Sequence, residues 1–595
     1  MAYQYKPLRK GPEIRLLEIK PLRDGTTSPF SLQIYDFSRL PPFEAISYTW
    51  GRPDFDSSIT CDGKCLPITK NCATVLKYLR REAAWARRVW IDQICINQND
   101  MPERSDQVLL MTEIYSRAQQ VIAWIGECDE DERRCLELLA TLDITRDMIV
   151  AADNYARNLP WGEEPHIGRS GIVCLESPEL EPWLEEGGWA PVIFRRLVSR
   201  PYFKRLWIVQ ELTVARRVTL KCGEYSLDMQ QLFNMGDLHS ILHKDMAPIP
   251  YWLLMLGYLR RKYVDYGTVD WDGFQETSMF TWRFEVTDTR DKVYALRGIS
   301  KVLKENTPLP DYNKSDVEIF IETAKATTIS DRGRLSILSA DRTPRHGADL
   351  PTWCPDYGQS PGSVTLCRSE VSRRLREKLR LSNSQPVFDG NRFIVRGKSF
   401  DSIAELSEVA MMENAKVMNV TEVLRSWLSF MQPATSSYGG KEPMHLAFWS
   451  TMLTKTESWA DLLLPMHSND TEHSSQFIDD LHKLYVEGNY EGATYINGRI
   501  FIEPEIYKAM DRAWSHTIHM RACVTEEKFF GLVPRETKVG DLLFYLAGAE
   551  KLYLLRPQDG SEDVFKLVGS GFVQGLSDGE RYSADDSEMR EIVIV

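Results

Sequence analysis

Two side chains one helical turn apart are the first candidates for chemistry in this sequence. Glu211 follows Trp207 by four positions, and residues at i and i+4 of a helix lie on the same face. An indole packed beside a carboxylate would partly shield it from water and hold its rotamer. Such a carboxylate can serve in a reaction, but it can equally form an ion pair with Arg205, Arg216 or the basic residues 195–196.

Further polar side chains stand where predicted strands end. Residues 89–91 are typical of a short buried strand, and Asp92 follows them directly, with Asn97 and Gln98 in the next loop. Ser47 lies near the end of a second strand candidate. Because ligands bind at the carboxyl edge of a doubly wound sheet, these side chains are expected to share one edge.

The common cofactor and metal motifs are missing from this sequence. A Walker A loop ending at residues 397–399 (Gly-Lys-Ser) would need glycine at a position that is Arg392. Residues 569–571 (Gly-Ser-Gly) lie outside any β-α context, so they do not form a dinucleotide fingerprint. Cys61 and Cys65 flank a predicted hairpin turn and have no second ligand pair, so no metal site is expected.

Composition indicates the cell compartment of this protein and excludes some classes of partner. The chain has 595 residues, a formal net charge of -13 and eleven cysteines without regular spacing. Irregular cysteines are typical of reduced thiols in a reducing compartment, and the acidic balance argues against nucleic-acid binding. There is no apolar signal segment, and no apolar run approaches the roughly 18 residues that cross a bilayer. We therefore expect a cytoplasmic protein with several domains, no nucleic-acid partner and no membrane span.

The first 225 residues alternate strand-like and helix-like segments. The strand candidates are residues 43–48, 89–91, 121–125 and 217–222, and helices are predicted from Thr69, Asp100 and Pro201. The helix after Asp100 starts with a D-x-x-E capping pattern that Glu103 completes. This alternation predicts an α/β domain, residues 1–225, in which a mostly parallel sheet has helices on both faces.

Three further regions are predicted within and after this domain. Residues 160–190 are rich in glutamate and proline and are interpreted as an acidic insertion, either a solvated loop or a lid over a site. Residues 226–384 are predicted to be mainly helical. Residues 385–595 are predicted to be a mixed α/β region ending in a β-rich module, because strand-like runs alternate with glycine turns there.

Three segments, in this order and spacing, resemble the HET domain of fungal heterokaryon incompatibility proteins. They are residues 44–51 (EAISYTWG), residues 89–126 with the block WIDQICINQND, and residues 200–212 (RPYFKRLWIVQEL). Residues 287–296 and 351–357 resemble the region that follows the HET domain in many such proteins. The resemblance therefore implies a HET-domain protein along most of the chain.

HET domains are distantly similar to TIR domains, which are flavodoxin-like, doubly wound α/β modules, and several TIR domains cleave NAD. Their catalytic glutamate lies four residues after a tryptophan, which is the spacing of Trp207 and Glu211. The resemblance implies that Glu211 is catalytic, that NAD is a candidate substrate and that no cofactor is tightly bound. A fixed carboxylate would face the positive charge that develops on the ribose as nicotinamide leaves.

The resemblance also implies a nucleotide pocket at the carboxyl edge of the sheet. Its candidate lining residues are Ser47, Trp50, Gly51, Asp92, Asn97, Gln98, Arg104 and Trp207. Gly51 would allow close backbone approach, Asp92 would bond a ribose, and Arg104 would meet a phosphate. The alternatives are core packing for Trp50, loop fixing for Asp92 and a surface ion pair for Arg104.

The implied function is cell-death signalling in fungal non-self recognition, with NAD cleavage after self-assembly. Two alternatives need no catalysis. In the first, HET domains recruit other incompatibility proteins by direct contact. In the second, the chain is a scaffold whose β-rich C-terminal module holds the HET domain inactive. Self-association and other incompatibility proteins are therefore the expected partners.

Overall fold

The structure is a computed structural model with two compact units. It describes residues 1–9, 12–21, 28–51, 54–142, 144–150, 181–184, 189–242, 250–270, 274–330, 335–339, 349–359, 386–408, 420–431, 448, 494–496, 499–501, 520–549, 551–558, 561–577 and 588–595. The first unit comprises residues 1–156 and 165–316, and the second comprises residues 157–164 and 317–595. Each unit is built around its own β-sheet.

The first unit contains a nine-stranded sheet. Its strands are β1 (Glu13–Ile19), β2 (Phe30–Asp36), β3 (Glu44–Tyr48), β4 (Ser57–Cys61), β5 (Lys64–Ile68), β6 (Arg87–Trp90), β7 (Val121–Gly126), β8 (Val218–Cys222) and β9 (Tyr225–Asp228). They lie side by side in the order β5-β4-β2-β1-β6-β3-β7-β8-β9. The four central strands, β6-β3-β7-β8, are parallel to one another. The predicted parallel sheet is therefore confirmed, and its first strand, β3, lies between the second and the third.

Antiparallel strands flank this parallel centre, and the sequence patterns predicted only the hairpin turn between Cys61 and Cys65 among them. Strand β1 pairs antiparallel with both β6 and β2, and β9 pairs antiparallel with β8. Strands β4 and β5 form a hairpin whose turn residues, Asp62 and Gly63, have φ values of 49° and 75°. A two-residue turn with positive φ matches the right-handed twist of the strands that it joins. The predicted turn between Cys61 and Cys65 is thus confirmed.

The helices of the first unit connect and cover these strands. They are α1 (Lys70–Glu82), α2 (Asp92–Cys95), α3 (Met101–Arg117), α4 (Glu130–Thr141), α5 (Glu181–Leu184), α6 (Trp189–Val198), α7 (Trp207–Thr213), α8 (Met229–Leu242), α9 (Tyr251–Tyr266), α10 (Phe274–Thr281), α11 (Asp291–Arg297) and α12 (Lys301–Asn306). Among the described residues, no helix is both long enough and apolar enough to cross a bilayer.

Local capping signals explain where two of these helices start. The Thr69 side chain accepts a hydrogen bond from the Cys72 backbone N–H at 3.4 Å, at the N-terminus of α1. At α3, the Asp100 side chain accepts from the Glu103 backbone N–H at 3.1 Å. Such caps satisfy N–H groups that the first turn of a helix leaves without partners. Both predicted helix starts are confirmed.

Two helix predictions need correction. The helical spacing of Val108, Met111 and Tyr115 predicts that all three lie on the buried face of α3, but only Met111 and Tyr115 are buried and Val108 is partly exposed. Pro201 does not open an α-helix, because residues 201–204 form a 3-10 turn and α7 begins only at residue 207. Between them, Arg205 is extended and forms a parallel β-bridge with Glu285, which interrupts the helical path.

The predicted acidic insertion lies mostly outside the described residues. Within residues 160–190, only α5 and the beginning of α6 are described. There the Trp183 ring packs edge-on against Phe194, with ring centroids 5.4 Å apart. The choice between a solvated loop and a lid therefore stays a prediction.

The second unit is the β-rich part of the chain. Its helices are α13 (Asp316–Ser330) and α14 (Val420–Met431), and its strands are β10 (Val387–Asp389), β11 (Arg392–Leu406), β12 (Thr494–Ile496), β13 (Arg499–Phe501), β14 (Met520–Thr525), β15 (Phe530–Pro534), β16 (Leu542–Leu546), β17 (Leu552–Pro557), β18 (Val564–Val573) and β19 (Arg590–Ile594). The main sheet runs β10-β11-β14-β15-β18-β17-β16, and β16 pairs again with β11, so the sheet closes on itself. The predicted order of α/β sheet, helices and β-rich module is confirmed.

Candidate functional site

Glu211 lies on α7, beside the first parallel strand. The Ser47 hydroxyl, on β3, donates a hydrogen bond to the Glu211 carboxylate. The Ser47 Oγ atom also lies 2.7 Å from the Tyr202 hydroxyl. All three side chains are buried, and only 2% of Glu211 is exposed. The predicted catalytic carboxylate is therefore held inside the domain, against β3.

Contacts at both ends hold α7 in place. Before the helix, the Leu206 N–H donates to the Glu285 carbonyl at 3.0 Å. After it, the Arg260 guanidinium donates to the carbonyls of Leu212 and Ala215. These donors satisfy carbonyls that the end of a helix leaves unpaired. The position of the site carboxylate thus depends on residues far along the chain, in α9 and before α11.

Burial controls the ionisation of Glu211. Removal from water raises the pKa of this carboxyl group to about 7, because a buried charge loses its hydration. The positive charge of Arg205 and the hydrogen bond from Ser47 lower the pKa, whereas the nearby Asp92 charge raises it. Glu211 can therefore gain or lose a proton near neutral pH, a property typical of carboxylates that take part in reactions.

Arg205 belongs to the site, although the sequence suggested it only as an ion-pair partner. Its guanidinium donates to the Tyr48 carbonyl at the end of β3. Its charge lowers the pKa values of both Asp92 and Glu211. Among the described residues, Glu211 forms no ion pair with this arginine, with Arg216 or with residues 195–196. No local pattern distinguishes Arg205 from its neighbouring arginines, so only its position in space identifies it.

A second group of predicted residues meets at the carboxyl end of β6. The Trp50 indole N–H donates to the Asp92 carboxylate at 2.9 Å, and the Gln98 amide donates to the Asp92 carbonyl at 3.0 Å. The Gln93 backbone N–H donates to the same carboxylate at 2.7 Å. Burial raises the pKa of Asp92, and the Arg205 charge opposes that effect. Trp50 is partly exposed, and its predicted contact with a ligand stays a prediction.

Asn97 and Gly51 lie in the loops that follow β6 and β3. The Asn97 backbone N–H donates to the Glu103 carboxylate at 2.7 Å, and its side chain accepts from the Asn99 N–H at 3.4 Å. Gly51 is exposed, has a φ of +75°, and has no atom within 4 Å of the place that a Cβ would take. The positive φ explains the glycine, and the predicted approach of a ligand to either residue stays a prediction.

Trp207 and Arg104 are joined through two residues that the sequence reasoning missed. The Trp207 indole N–H donates to the Asp291 carboxylate at 3.0 Å, and the Tyr312 hydroxyl donates to its other oxygen at 2.8 Å. The Arg104 guanidinium lies 4.8 Å from the centre of the Tyr312 ring, in a cation–π contact. Burial raises the pKa of Asp291 to about 6. In this conformation the Arg104 guanidinium contacts the Tyr312 ring, and its predicted contact with a phosphate stays untested.

The candidate residues therefore form two neighbouring groups and one separate contact. Ser47 joins Glu211, and Asp92 joins Trp50 and Gln98, with the Arg205 charge acting on the carboxylates of both groups. Trp207 bonds the distant Asp291. That aspartate lies in residues 287–296, which the sequence had singled out without assigning a role.

Comparison with known protein families matches two regions of this chain. Residues 43–211 match the heterokaryon incompatibility protein (HET) family, and residues 501–595 match the Het-6 beta-barrel domain. The chain therefore contains a region similar to the HET domain and a region similar to the Het-6 barrel. It is similar to Heterokaryon incompatibility protein 6, OR allele, of Neurospora crassa, with 25% identity across 98% of this chain and 96% of that protein. No solved structure matches the chain.

Proposed function

We propose that this protein acts in heterokaryon incompatibility and that its HET domain cleaves NAD through Glu211. The first part is supported by the HET match and by the name of the Neurospora crassa relative. The second part is supported by one observation. A buried carboxyl group, with a pKa raised to about 7, accepts a hydrogen bond from Ser47 near the carboxyl end of the first parallel strand. That edge is where doubly wound sheets bind ligands.

The reaction would break the C–N bond between nicotinamide and ribose. The bonding electron pair leaves with nicotinamide, positive charge develops on the ribose, and water adds to that carbon and loses a proton. An ionised Glu211 would stabilise the charge more in the transition state than in the ground state. Ser47 would orient this carboxylate, and Asp92, at the end of the adjacent strand, would accept a hydrogen bond from a ribose hydroxyl. The products are nicotinamide and ADP-ribose.

The carboxylate must become accessible before this reaction can occur. With 2% of its surface exposed, Glu211 does not reach a nucleotide in the conformation described here. The proposal therefore includes an opening of α7 away from β3, driven by self-association of HET domains. A partner shifts such an equilibrium only if it binds the open form more tightly than the closed form. A monomer is thus expected to be nearly inactive.

Nicotinamide release by clustered, full-length protein tests the catalytic part. Glu211→Gln retains the side-chain shape and an acceptor for Ser47 but cannot carry negative charge. We expect its release rate to fall at least about 100-fold, the size typical of losing a main electrostatic contact in a transition state. Glu113→Gln, which changes an exposed glutamate of α3, should retain the wild-type rate. If clustered wild type and Glu211→Gln are equally inactive, NAD cleavage is excluded.

A second candidate function is non-catalytic signalling by contact between HET domains. It is favoured by the burial of Glu211 and its bond to Ser47, which also suit a carboxyl group that only fixes α7 to β3. Under this alternative, Glu211→Gln would retain killing activity in a cell assay as long as the protein folds. Surface changes that abolish self-association would then remove killing. The killing activity of folded Glu211→Gln protein in cells therefore distinguishes the two functions.

A further inference from the structure

Two thiols face each other at the carboxyl ends of the parallel strands β7 and β8. Cys222 ends β8 and is buried, whereas Cys128 follows β7 by two residues and is partly exposed. Their Sγ atoms and an oxygen of Glu132 all lie within 4.8 Å of one another. The Gly223 N–H donates to the Gly126 carbonyl at 2.9 Å, so backbone contacts hold the two strand ends together. The pairing of β7 with β8 therefore brings the two thiols close together.

Arg200 already supplies the positive charge of this cluster. Its guanidinium donates to Glu132 at 2.6 Å and to the Cys222 sulfur at 3.5 Å. It also donates to the carbonyls of Ile125 and Glu127, both at 2.8 Å. A divalent metal would stand beside this fixed guanidinium and be repelled by it. The arrangement therefore favours chemistry between the two thiols over metal binding.

We propose that Cys128 and Cys222 form a reversible disulfide on exposure to a hydroperoxide. The Cys128 thiolate attacks one peroxide oxygen, so that an S–O bond forms, the O–O bond breaks and the other oxygen leaves as water after protonation. The Cys222 thiol then attacks the Cys128 sulfur, an S–S bond forms, and the S–O bond breaks to release a second water. Two thiols and one hydrogen peroxide thus give one disulfide and two waters. A dithiol reductant reverses the change.

The roles of the two thiols follow from their exposure. Cys128 is the one that a peroxide can reach, and the buried Cys222 is the thiol that resolves the sulfenic acid. The sulfurs must approach to about 2.05 Å, which the loop between β7 and α4 can allow by rotation of the Cys128 side chain. Burial raises the pKa of the Cys128 thiol, and the Arg200 charge opposes that effect. Since the thiolate is the nucleophile, oxidation should be slow at neutral pH and faster at higher pH.

The disulfide would change the contacts of a segment that leads to the candidate site. Oxidised Cys222 is a poorer acceptor for Arg200, which begins the block at residues 200–212 that resembles the HET domain. The bond would also link the ends of β7 and β8 covalently. The part of the chain between residues 128 and 222, which includes residues 160–190, would then form a closed loop. The inference does not depend on NAD cleavage, because it uses only the geometry of the two sulfurs.

Oxidation of the reduced, full-length protein with hydrogen peroxide tests this proposal. After the remaining thiols are alkylated, we expect a peptide that links Cys128 to Cys222, and a loss of two free thiols per chain that dithiothreitol restores. The initial rate should rise about tenfold per pH unit below the thiol pKa. Detection of Cys128 as sulfenic or sulfinic acid, with Cys222 still a free thiol, would overturn the proposal.

Two variants separate this pair from general thiol oxidation. Cys128→Ser should abolish the linked peptide and leave Cys222 reduced. Cys65→Ser removes an exposed thiol of β5 and should leave the linkage intact. Because Cys128 is partly exposed, its replacement by serine is expected to fold, so the test does not depend on changing the buried cysteine. Linkage of Cys65 to other cysteines at the same rate as the proposed pair would count against a specific site.

Discussion

The Trp207 indole donates to the Asp291 carboxylate at 3.0 Å and thereby joins α7 to α11. Tyr312 bonds the same carboxylate, and Arg104 of α3 lies over its ring. Three segments that resemble separate HET-protein motifs are therefore one packed structure. The contact also means that residues beyond 225 help to determine where the candidate catalytic helix lies.

Replacement of Trp207 by phenylalanine should destabilise the first unit. Phenylalanine keeps an aromatic ring, although a smaller one than indole, but lacks the N–H, so one oxygen of the buried Asp291 loses its donor. We expect a loss of about 1–3 kcal/mol in the free energy of unfolding, measured by chemical denaturation. The loss should be larger at pH 8 than at pH 5, because the pKa of Asp291 is about 6 and its charged form needs the donor more.

Trp85→Phe is the matched control for this change. Trp85 is 83% exposed, so its replacement should alter the free energy of unfolding by less than about 0.5 kcal/mol. Equal stability of the Trp207→Phe protein and the wild type at pH 8 would show that the indole contact contributes little.

Replacement of Glu211 by glutamine should change how stability depends on pH. The pKa of Glu211 is raised by folding from 4.5 to about 7. The folded state therefore binds the Glu211 carboxyl proton more tightly than the unfolded state does. The stability that this proton contributes is complete below pH 4.5 and is lost as pH rises through 7. Glutamine stays neutral, so the variant should gain up to about 3 kcal/mol over wild type at pH 8.

The comparison is best made by denaturation of both proteins between pH 4 and pH 8. Asp291 and the other titrating groups are present in both proteins, so their effects cancel in the difference. Glu113→Gln should show no such divergence, because its side chain is exposed. A constant difference between wild type and Glu211→Gln over this range would mean that the pKa of Glu211 is not raised.

Replacement of Ser47 by alanine should raise the pKa of Glu211 above 7. The serine hydroxyl donates to the carboxylate and lowers its pKa, and alanine removes that donor. The titration midpoint, followed by NMR of carbon-13-labelled glutamate, should move to higher pH. If the enzyme proposal holds, the pH midpoint of nicotinamide release should move in the same direction. Ser58→Ala, at an exposed position of β4, should leave both midpoints in place.

A truncated chain that ends at residue 225 should be far less stable than one that ends at residue 316. The shorter chain lacks Arg260, Glu285 and Asp291, whose contacts hold α7, and it also lacks most of β9. We expect the shorter chain to be insoluble or to unfold at a markedly lower temperature in a thermal scan. Cooperative unfolding of the 225-residue chain at the same temperature as the longer one would contradict this prediction.

Local sequence patterns predicted several elements of the first unit. The helix starts at Thr69 and Asp100 and the turn between Cys61 and Cys65 all appear as predicted. These features depend on residues within about one helical turn or one hairpin of each other, so the sequence contains the whole signal. The same locality explains why short motifs were enough to indicate the HET resemblance that family comparison also finds over residues 43–211.

Tertiary structure decided which of the predicted residues meet. Ser47 and Glu211 are 164 positions apart, and Trp207 and Asp291 are 84 apart. No spacing rule links side chains over such separations, and the raised pKa of Glu211 follows from burial that only the packed domain provides. The sequence by itself determined the four parallel strands, the helix starts at Thr69 and Asp100 and the resemblance to the HET domain, because those depend on near neighbours. The pairing and ionisation of the candidate site were decided by the fold, because burial and charge act through space.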